Sequence, residues 1–103
     1  MIGTKHDNDK VRMELLPFEA IEAVAKVLTF GARKYADNNW QKVPDAERRY
    51  LGALMRHLSA HVRGERLDPE SGLSHISHAV TNALFLLYFD EIKQILGGGY
   101  DTK

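Results

Sequence analysis

Between Arg56 and Asn82 the sequence reads RHLSAHVRGERLDPESGLSHISHAVTN, and this run carries four of the chain's five histidines in two close pairs. His57 and His61 are four residues apart, and His75 and His78 are three apart. Residues at those steps share one face of a helix. The link between the pairs, Gly64 to Gly72, is short and polar and holds Glu65, Asp68 and Glu70. A link of this length returns the second helix antiparallel to the first. The chain is thereby committed to a helical hairpin that gathers imidazoles and carboxylates, and the remainder reads as the means of holding it.

Upstream, Phe18, Ile21, Ala25, Leu28 and Ala32 recur at three- and four-residue steps, the pattern of an amphipathic helix. Pro17 stands at its opening turn, where a missing N–H is tolerated, and Gly31 is expected to interrupt it. Glu19 and Glu22 share a face of this helix. That spacing suits a divalent cation, although glutamates in a first turn serve a solvated face equally well. Asp45, after Val43-Pro44, is the expected N-cap of a second helix over 46–62, and Gly64 its expected C-cap. Leu51, Met55, Leu58 and Val62 make one apolar stripe there, with Tyr50, Ala53, Leu54, His57 and His61 on an adjacent one. A third helix is expected over 73–96, with Ile76, Val80, Leu84 and Leu87 as its main apolar stripe. On it His75, His78 and Asn82 lie within about 60° of one another. There is no alternating strand-like run and no internal repeat, so the expected fold is all-α.

The length of 103 residues fits one domain over 1–103, with an arm over 1–14 and a tail over 97–103. From Ala83 to Phe89 the third helix is apolar all round. Three helices cannot cover such a segment on every side, which implies association with another subunit through the C-terminal helix. Fourteen basic and fourteen acidic side chains give zero net charge. That balance excludes long nucleic acid as a partner while leaving room for a small anion. The absence of cysteine removes disulfides and thiolate metal sites. The N-terminus lacks an apolar core of the signal type, and the run 83–89 is too short to span a bilayer. A cytoplasmic protein with no membrane contact is expected.

Three roles stay open for the histidines: metal ligands, general acid–base groups, or hydrogen-bond donors to a polyphosphate. Arg56 beside His57 adds a cation able to grip phosphate bidentately. Asp68, before Pro69, reads as a ligand or as the cap of a turn. The segment Gly31 to Gln41, GARKYADNNWQ, sets Arg33 and Lys34 beside Tyr35, Asn38, Asn39 and Trp40. Cations for phosphates, an aromatic ring to stack on a base and an amide to read its edge suit a nucleotide pocket. Tyr35 and Trp40 would equally plug a core from a loop. Lys10 and Arg12 either fold over an anionic ligand or belong to a solvated arm. No P-loop, GxSxG elbow, HExxH or Cys/His zinc pattern is present, which turns the reading away from a side-chain nucleophile.

Taken together, KxDxxKxR, LLPFEA, FGARKYADNNW, RHLxAHxRGExxDPESGLSHISHA and NALFLL resemble the small phage-encoded domain of dATP/dGTP diphosphohydrolases. That domain is related to the MazG-like all-α nucleoside triphosphate pyrophosphohydrolases. The resemblance runs from Lys5 to Phe89. It implies a MazG-like helical bundle, acting in the host cytoplasm, that cleaves a purine (d)NTP to (d)NMP and pyrophosphate with a metal-activated water. It also implies Mg²⁺ or Mn²⁺ as cofactor and a dimer or tetramer as the working form.

MazG-like enzymes hold metal with an ExxE on one helix and an ExxD on the next. Here His57 and His61 stand where the first would be, and His75 or His78 with Asn82 where the second would be. Imidazole also suits Co²⁺ or Zn²⁺. The expected metal ligands are Glu22, Glu65, Asp68, His75 and His78, with His57, Glu65 and His75 as catalytic residues. Lys10, Lys34 and Arg56 are expected on the phosphates, and Tyr35, Asn39 and Trp40 on the base. The alternative is a non-catalytic nucleotide-binding protein that sequesters a host nucleotide or nucleotide signal.

Overall fold

The computed structural model describes residues 9–97. Residues 1–8 of the expected arm and 98–103 of the expected tail lie outside the described residues. A 3-10 turn, Met13–Leu15, leads to Pro17, whose extended backbone opens helix α1, Phe18–Lys34. The Pro17 carbonyl accepts the Ile21 N–H at 3.1 Å, so the proline contributes its acceptor and lacks only a donor that the first turn could not use. Gly31, expected to interrupt this helix, lies inside it. The break comes four residues later at Tyr35, ahead of the turn-forming Asp37-Asn38-Asn39, with Asn38 in the left-handed region (φ 59°). A second 3-10 turn, Asn39–Gln41, carries Trp40.

Helix α2 spans Ala46–Val62, as the pattern predicts. Asp45 precedes it, but with left-handed backbone (φ 57°), and its carboxylate engages the Arg48 guanidinium rather than a backbone N–H. The C-terminus closes with two reciprocal hydrogen bonds. Gly64 N–H reaches the His61 carbonyl (2.9 Å) and Glu65 N–H the Ala60 carbonyl (3.0 Å). This Schellman arrangement needs a residue at positive φ, and Gly64 supplies it at φ 98°. The link then closes on itself. Leu67 pairs with Ser74 as an antiparallel bridge, Asp68 N–H meets the Leu73 carbonyl and His75 N–H the Arg66 carbonyl, both at 2.8 Å. Ser74 Oγ accepts the Ser77 N–H at 3.0 Å and so caps helix α3, His75–Gly97.

Helices α2 and α3 pack along their lengths as an antiparallel hairpin, and α1 lies against α3. A Lys93–Glu47 ion pair (2.8 Å) ties the far end of the hairpin together. Trp40 fastens the α1–α2 connection. Its ring stacks on Phe85 (centroids 4.2 Å, interplanar 12°) and meets Tyr88 edge-on, while its carbonyl accepts the Tyr50 hydroxyl at 2.8 Å.

The seam of the hairpin departs from the apolar-stripe expectation. Buried apolar side chains among the described residues are Val27, Ala60, Ala79 and Phe85, and beside them lie buried His75, His78, Thr81 and Asn82. Thr81 donates to the Ser77 carbonyl (2.7 Å) and Asn82 to the His78 carbonyl (2.8 Å), so these groups are buried with partners. The stripes Leu51/Met55/Leu58/Val62 and Ile76/Val80/Leu84/Leu87 instead keep 36–76% of their surface exposed. The histidine-bearing faces and the apolar faces compete for the same seam, and the histidine faces occupy it. Ser74→Ala is expected to cost about 1 kcal/mol by removing the α3 cap. In a chain of this size that lowers the melting temperature by roughly 4–8 °C, and an unchanged thermal transition would show that the cap carries no stability.

Candidate functional site

The Schellman turn, the bridge and the Ser74 cap aim four ionisable side chains at one point in the α2–α3 seam. His57 Nδ1 of α2 lies 2.8 Å from His75 Nδ1 of α3, so the two nitrogens share one proton. His75 Nε2–H donates to Glu65 Oε1 at 3.2 Å, which leaves His75 Nδ1 as acceptor and His57 Nδ1–H as donor. Asp68 completes the group. His57, Asp68 and His75 each offer one ligand atom, and these atoms lie within 4.8 Å of one another.

Ser71 joins a third histidine, His78, to this group. Asp68 Oδ2 accepts both the Ser71 N–H (2.9 Å) and the Ser71 hydroxyl (3.0 Å), and that hydroxyl lies 2.7 Å from His78 Nε2. The His78 ring stacks on His57, with centroids 4.5 Å apart and planes 11° from parallel. Ser71 is a member that the sequence reading missed. An Asp-Pro-x-Ser turn in which a serine N–H and hydroxyl return to the aspartate is a known local pattern, and DPES is its signal here.

Burial governs the protonation of this cluster. His57 is pushed below the ordinary 6.5 first by desolvation, then by the neighbouring His78 charge, against an opposing pull from Asp68. His78 is likewise pushed down by desolvation, with Asp68 opposing. Burial raises Asp68, but the Ser71 N–H and hydroxyl and the nearby imidazoles together hold it below 3.8. At neutral pH His57 and His78 are therefore neutral and Asp68 is ionised, the state a metal ion requires of imidazole and carboxylate ligands.

A cavity of about 760 Å³ opens beside the cluster, between α1, the 35–43 connection and the hairpin. His78 is the member of the cluster that also lines it. Of the residues expected on the base, Tyr35, Asn39 and Trp40 line this cavity, as does Arg56 of those expected on phosphate. Trp40 stands with one face already covered by Phe85. Arg56 Nη1 would lie 3.1 Å from a Cβ at Gly52, so the glycine leaves room for the guanidinium to fold along the helix. Arg49, which the sequence reading passed over, is a second guanidinium on the wall, seven residues and nearly two turns before Arg56. Thr81 and Asn82 form its buried polar floor with Phe85 beside them.

Other expected residues stand elsewhere. Lys34 is absent from the lining and pairs with Glu70, which raises its pKa. Glu19 and Glu22 are exposed on α1, outside the metal-capable group. His61 is exposed too, and Arg12 pairs with Glu14 at 2.8 Å. Lys10 is exposed on the arm and stands outside the cavity wall. Among the described residues no helix is long and apolar enough to cross a membrane.

Residues 2–96 match the protein family described as dATP/dGTP diphosphohydrolase, N-terminal. The chain belongs to this family. It is similar to a Salmonella phage PMBT28 protein described as a dATP/dGTP diphosphohydrolase, with 34% identity over 88 residues, or 85% of this chain and 30% of that relative. The chain thus spans about 30% of the length of the curated relative it matches. No solved structure matches the chain. The family match covers the three helices up to residue 96, the histidine cluster and the cavity wall.

The depressed histidines make this domain's stability depend on pH in a defined direction. Between the folded and unfolded pKa values the unfolded chain binds more protons, so stability is complete above about 6.5 and falls as pH drops through that value. Asp68 adds a second loss, felt as pH falls from 3.8 through its depressed folded value. The melting temperature is expected to be flat from about pH 8 to 7 and to decline below about pH 6.5, a decline blunted in a His57→Gln, His78→Gln double variant. A melting temperature that rises on acidification would contradict the buried neutral imidazoles.

Proposed function

We propose that this chain is a metal-dependent pyrophosphohydrolase that cleaves a purine (d)NTP to the monophosphate and pyrophosphate. The observation that carries the reading is the meeting of a metal-capable His57/Asp68/His75 group with an aromatic and guanidinium-walled cavity, His78 standing at their junction. The description of the phage relative supports the substrate class. The base enters among Tyr35, Asn39, Trp40 and Phe85, where an aromatic wall favours stacking and an amide is at hand for its edge. Arg49 and Arg56 hold the triphosphate, since guanidinium forks match phosphate oxygens.

The residues fit a divalent cation: the imidazoles of His57 and His75 and the carboxylate of Asp68, with Glu65 holding His75 from behind. When bound, a cation there lowers the pKa of a water and offsets phosphate charge. Glu65, bonded to His75 Nε2, fixes the ring whose Nδ1 would face the ion, and the proton of the attacking water leaves to bulk solvent. The water oxygen bonds to the α-phosphorus, the bond from that phosphorus to the α–β bridging oxygen breaks, and pyrophosphate leaves with the bond electrons. His57 and His75 would hold the cation, and Arg56 steadies the phosphates as charge shifts to the leaving group.

The same reading has the chain work as a homo-oligomer, in keeping with a MazG-like bundle. On α2, at 100° per residue, Leu51, Met55, Leu58 and Val62 point almost directly away from the cavity-lining Arg49, Ala53 and Arg56. On α3, Ile76, Val80 and Leu87 point away from cavity-lining His78 and Phe85 in the same manner. Both stripes thus lie on the hairpin face opposite α1. With Leu84 they form a continuous exposed apolar band of the kind a partner would cover. A contact through α2 and α3 together would cover it, and Leu58→Asp combined with Leu87→Asp is expected to halve the mass seen by light scattering. An unchanged mass would place the contact elsewhere.

Incubating the full chain with dGTP, dATP, GTP or ATP in Mn²⁺, Mg²⁺, Co²⁺ or EDTA, and resolving products by anion exchange, tests the activity. Metal-dependent monophosphate and pyrophosphate are expected. Arg56→Ala should raise KM about tenfold, and His75→Ala should lower kcat by 100-fold or more with a smaller loss of nucleotide affinity. Intact nucleotides in every lane from a folded chain would sink the hydrolase reading. Nucleotide retained in EDTA and recovered unchanged would mark a binding protein instead.

A further inference from the structure

From the geometry of the seam we infer that His57, Asp68 and His75 form a site for a transition-metal ion of the Co²⁺, Zn²⁺ or Mn²⁺ class, and that this site discriminates against Mg²⁺. The inference rests on the metal-bound reading of the same site and goes further by naming the ion class and the residues that set it. Magnesium demands near-octahedral oxygen coordination and dehydrates reluctantly. This group offers one carboxylate and two nitrogens, a composition that favours the later first-row ions.

Three observations point the same way. The two Nδ1 atoms converge to 2.8 Å across the seam. A tetrahedral ion with metal–nitrogen bonds of 2.0–2.1 Å holds its ligands about 3.3 Å apart, so the imidazoles need to part by only about half an ångström. His75 Nε2–H is fixed by Glu65, the carboxylate–histidine arrangement that turns the opposite nitrogen's lone pair toward a metal. Asp68 is held on its other side by Ser71, so its carboxylate is oriented before any ion arrives. The rest of the local surroundings also disfavours an oxygen-only site. His57 is covered by the His78 ring, and Glu19 and Glu22 stand apart on exposed α1, outside the metal-capable group. Glu65 is a positioning residue in this scheme, acting on the ion through His75.

Equilibrium dialysis of the full chain, made metal-free, against Zn²⁺, Co²⁺, Mn²⁺ and Mg²⁺ separates the outcomes without any reference to turnover. One Zn²⁺ or Co²⁺ per chain is expected, bound at least 100-fold more tightly than Mg²⁺, with Co²⁺ giving visible absorption bands. His57→Ala, His75→Ala and Asp68→Ala should each weaken Zn²⁺ by well over tenfold. Glu65→Gln should weaken it by about 10- to 100-fold while retaining the Co²⁺ bands. Should a buried alanine variant fail to fold by circular dichroism, the corresponding His→Gln variant takes its place. Equal affinity for Mg²⁺ and Zn²⁺, or Zn²⁺ binding indifferent to His57 and His75, would overturn the inference, as would a folded chain that binds none of the ions. Tight Zn²⁺ with every nucleotide intact would sink the hydrolase and leave this site standing. Mg²⁺-driven turnover undiminished in His57→Ala would do the reverse.

Discussion

The distance between α2 and α3 is set by two imidazole nitrogens that share a proton. Everything else in the hairpin follows from accommodating that contact. Alanines at 60 and 79 let the backbones approach, and Thr81 and Asn82 turn their polar ends back onto their own helix. Burying histidine rather than leucine at a helix seam forgoes apolar burial worth about 1.5–3 kcal/mol per side chain. The seam recovers part of this through hydrogen bonds, and no buried side-chain polar atom among the described residues lacks a partner. The deficit explains why the domain leans on its aromatic cluster. Trp40, Tyr50, Phe85 and Phe89 bring their rings together where α2, α3 and the connecting segment meet.

That allocation also turns the hairpin inside out relative to an ordinary helical pair. Its ionisable groups face inward and a band of leucine, valine, methionine and isoleucine faces out. Such a band on a lone chain is a solubility burden, whereas between two chains it becomes the main apolar core. The inward histidine cluster and the outward apolar band are in this sense consequences of one choice, made by which face of each helix turns toward its neighbour.

The sequence carried the helices well. Period and end signals placed α2 at 46–62 and α3 within two residues of its observed start. It misled at Gly31, because a single glycine costs a helix only about 1 kcal/mol when flanking residues pack, and at Asp45, whose carboxylate turned to Arg48. The facing of the helices was not legible. Periodicity shows that two stripes exist on one helix but does not say which meets the neighbour. The histidine pairs and the DPES link stood out as a cluster of ionisable groups, yet Ser71 was passed over within DPES and Arg49 reaches the cavity wall only once the chain folds back. Serine and arginine are too common on helix ends and surfaces to stand out alone. The family match and the pattern agree on membership.

The ligand-capable residues lie within one stretch: His57 and His75 are eighteen positions apart, with Asp68 and Glu65 between them. The cavity, by contrast, needs α1 to come back across the chain, as in the Lys34–Glu70 pair thirty-six positions apart. Short loops close sooner and at lower entropic cost than long ones. The hairpin can therefore bring its imidazoles and carboxylates together before the first helix docks, so that the His57–His75 contact sets the register of α2 and α3 while the rest of the chain arrives.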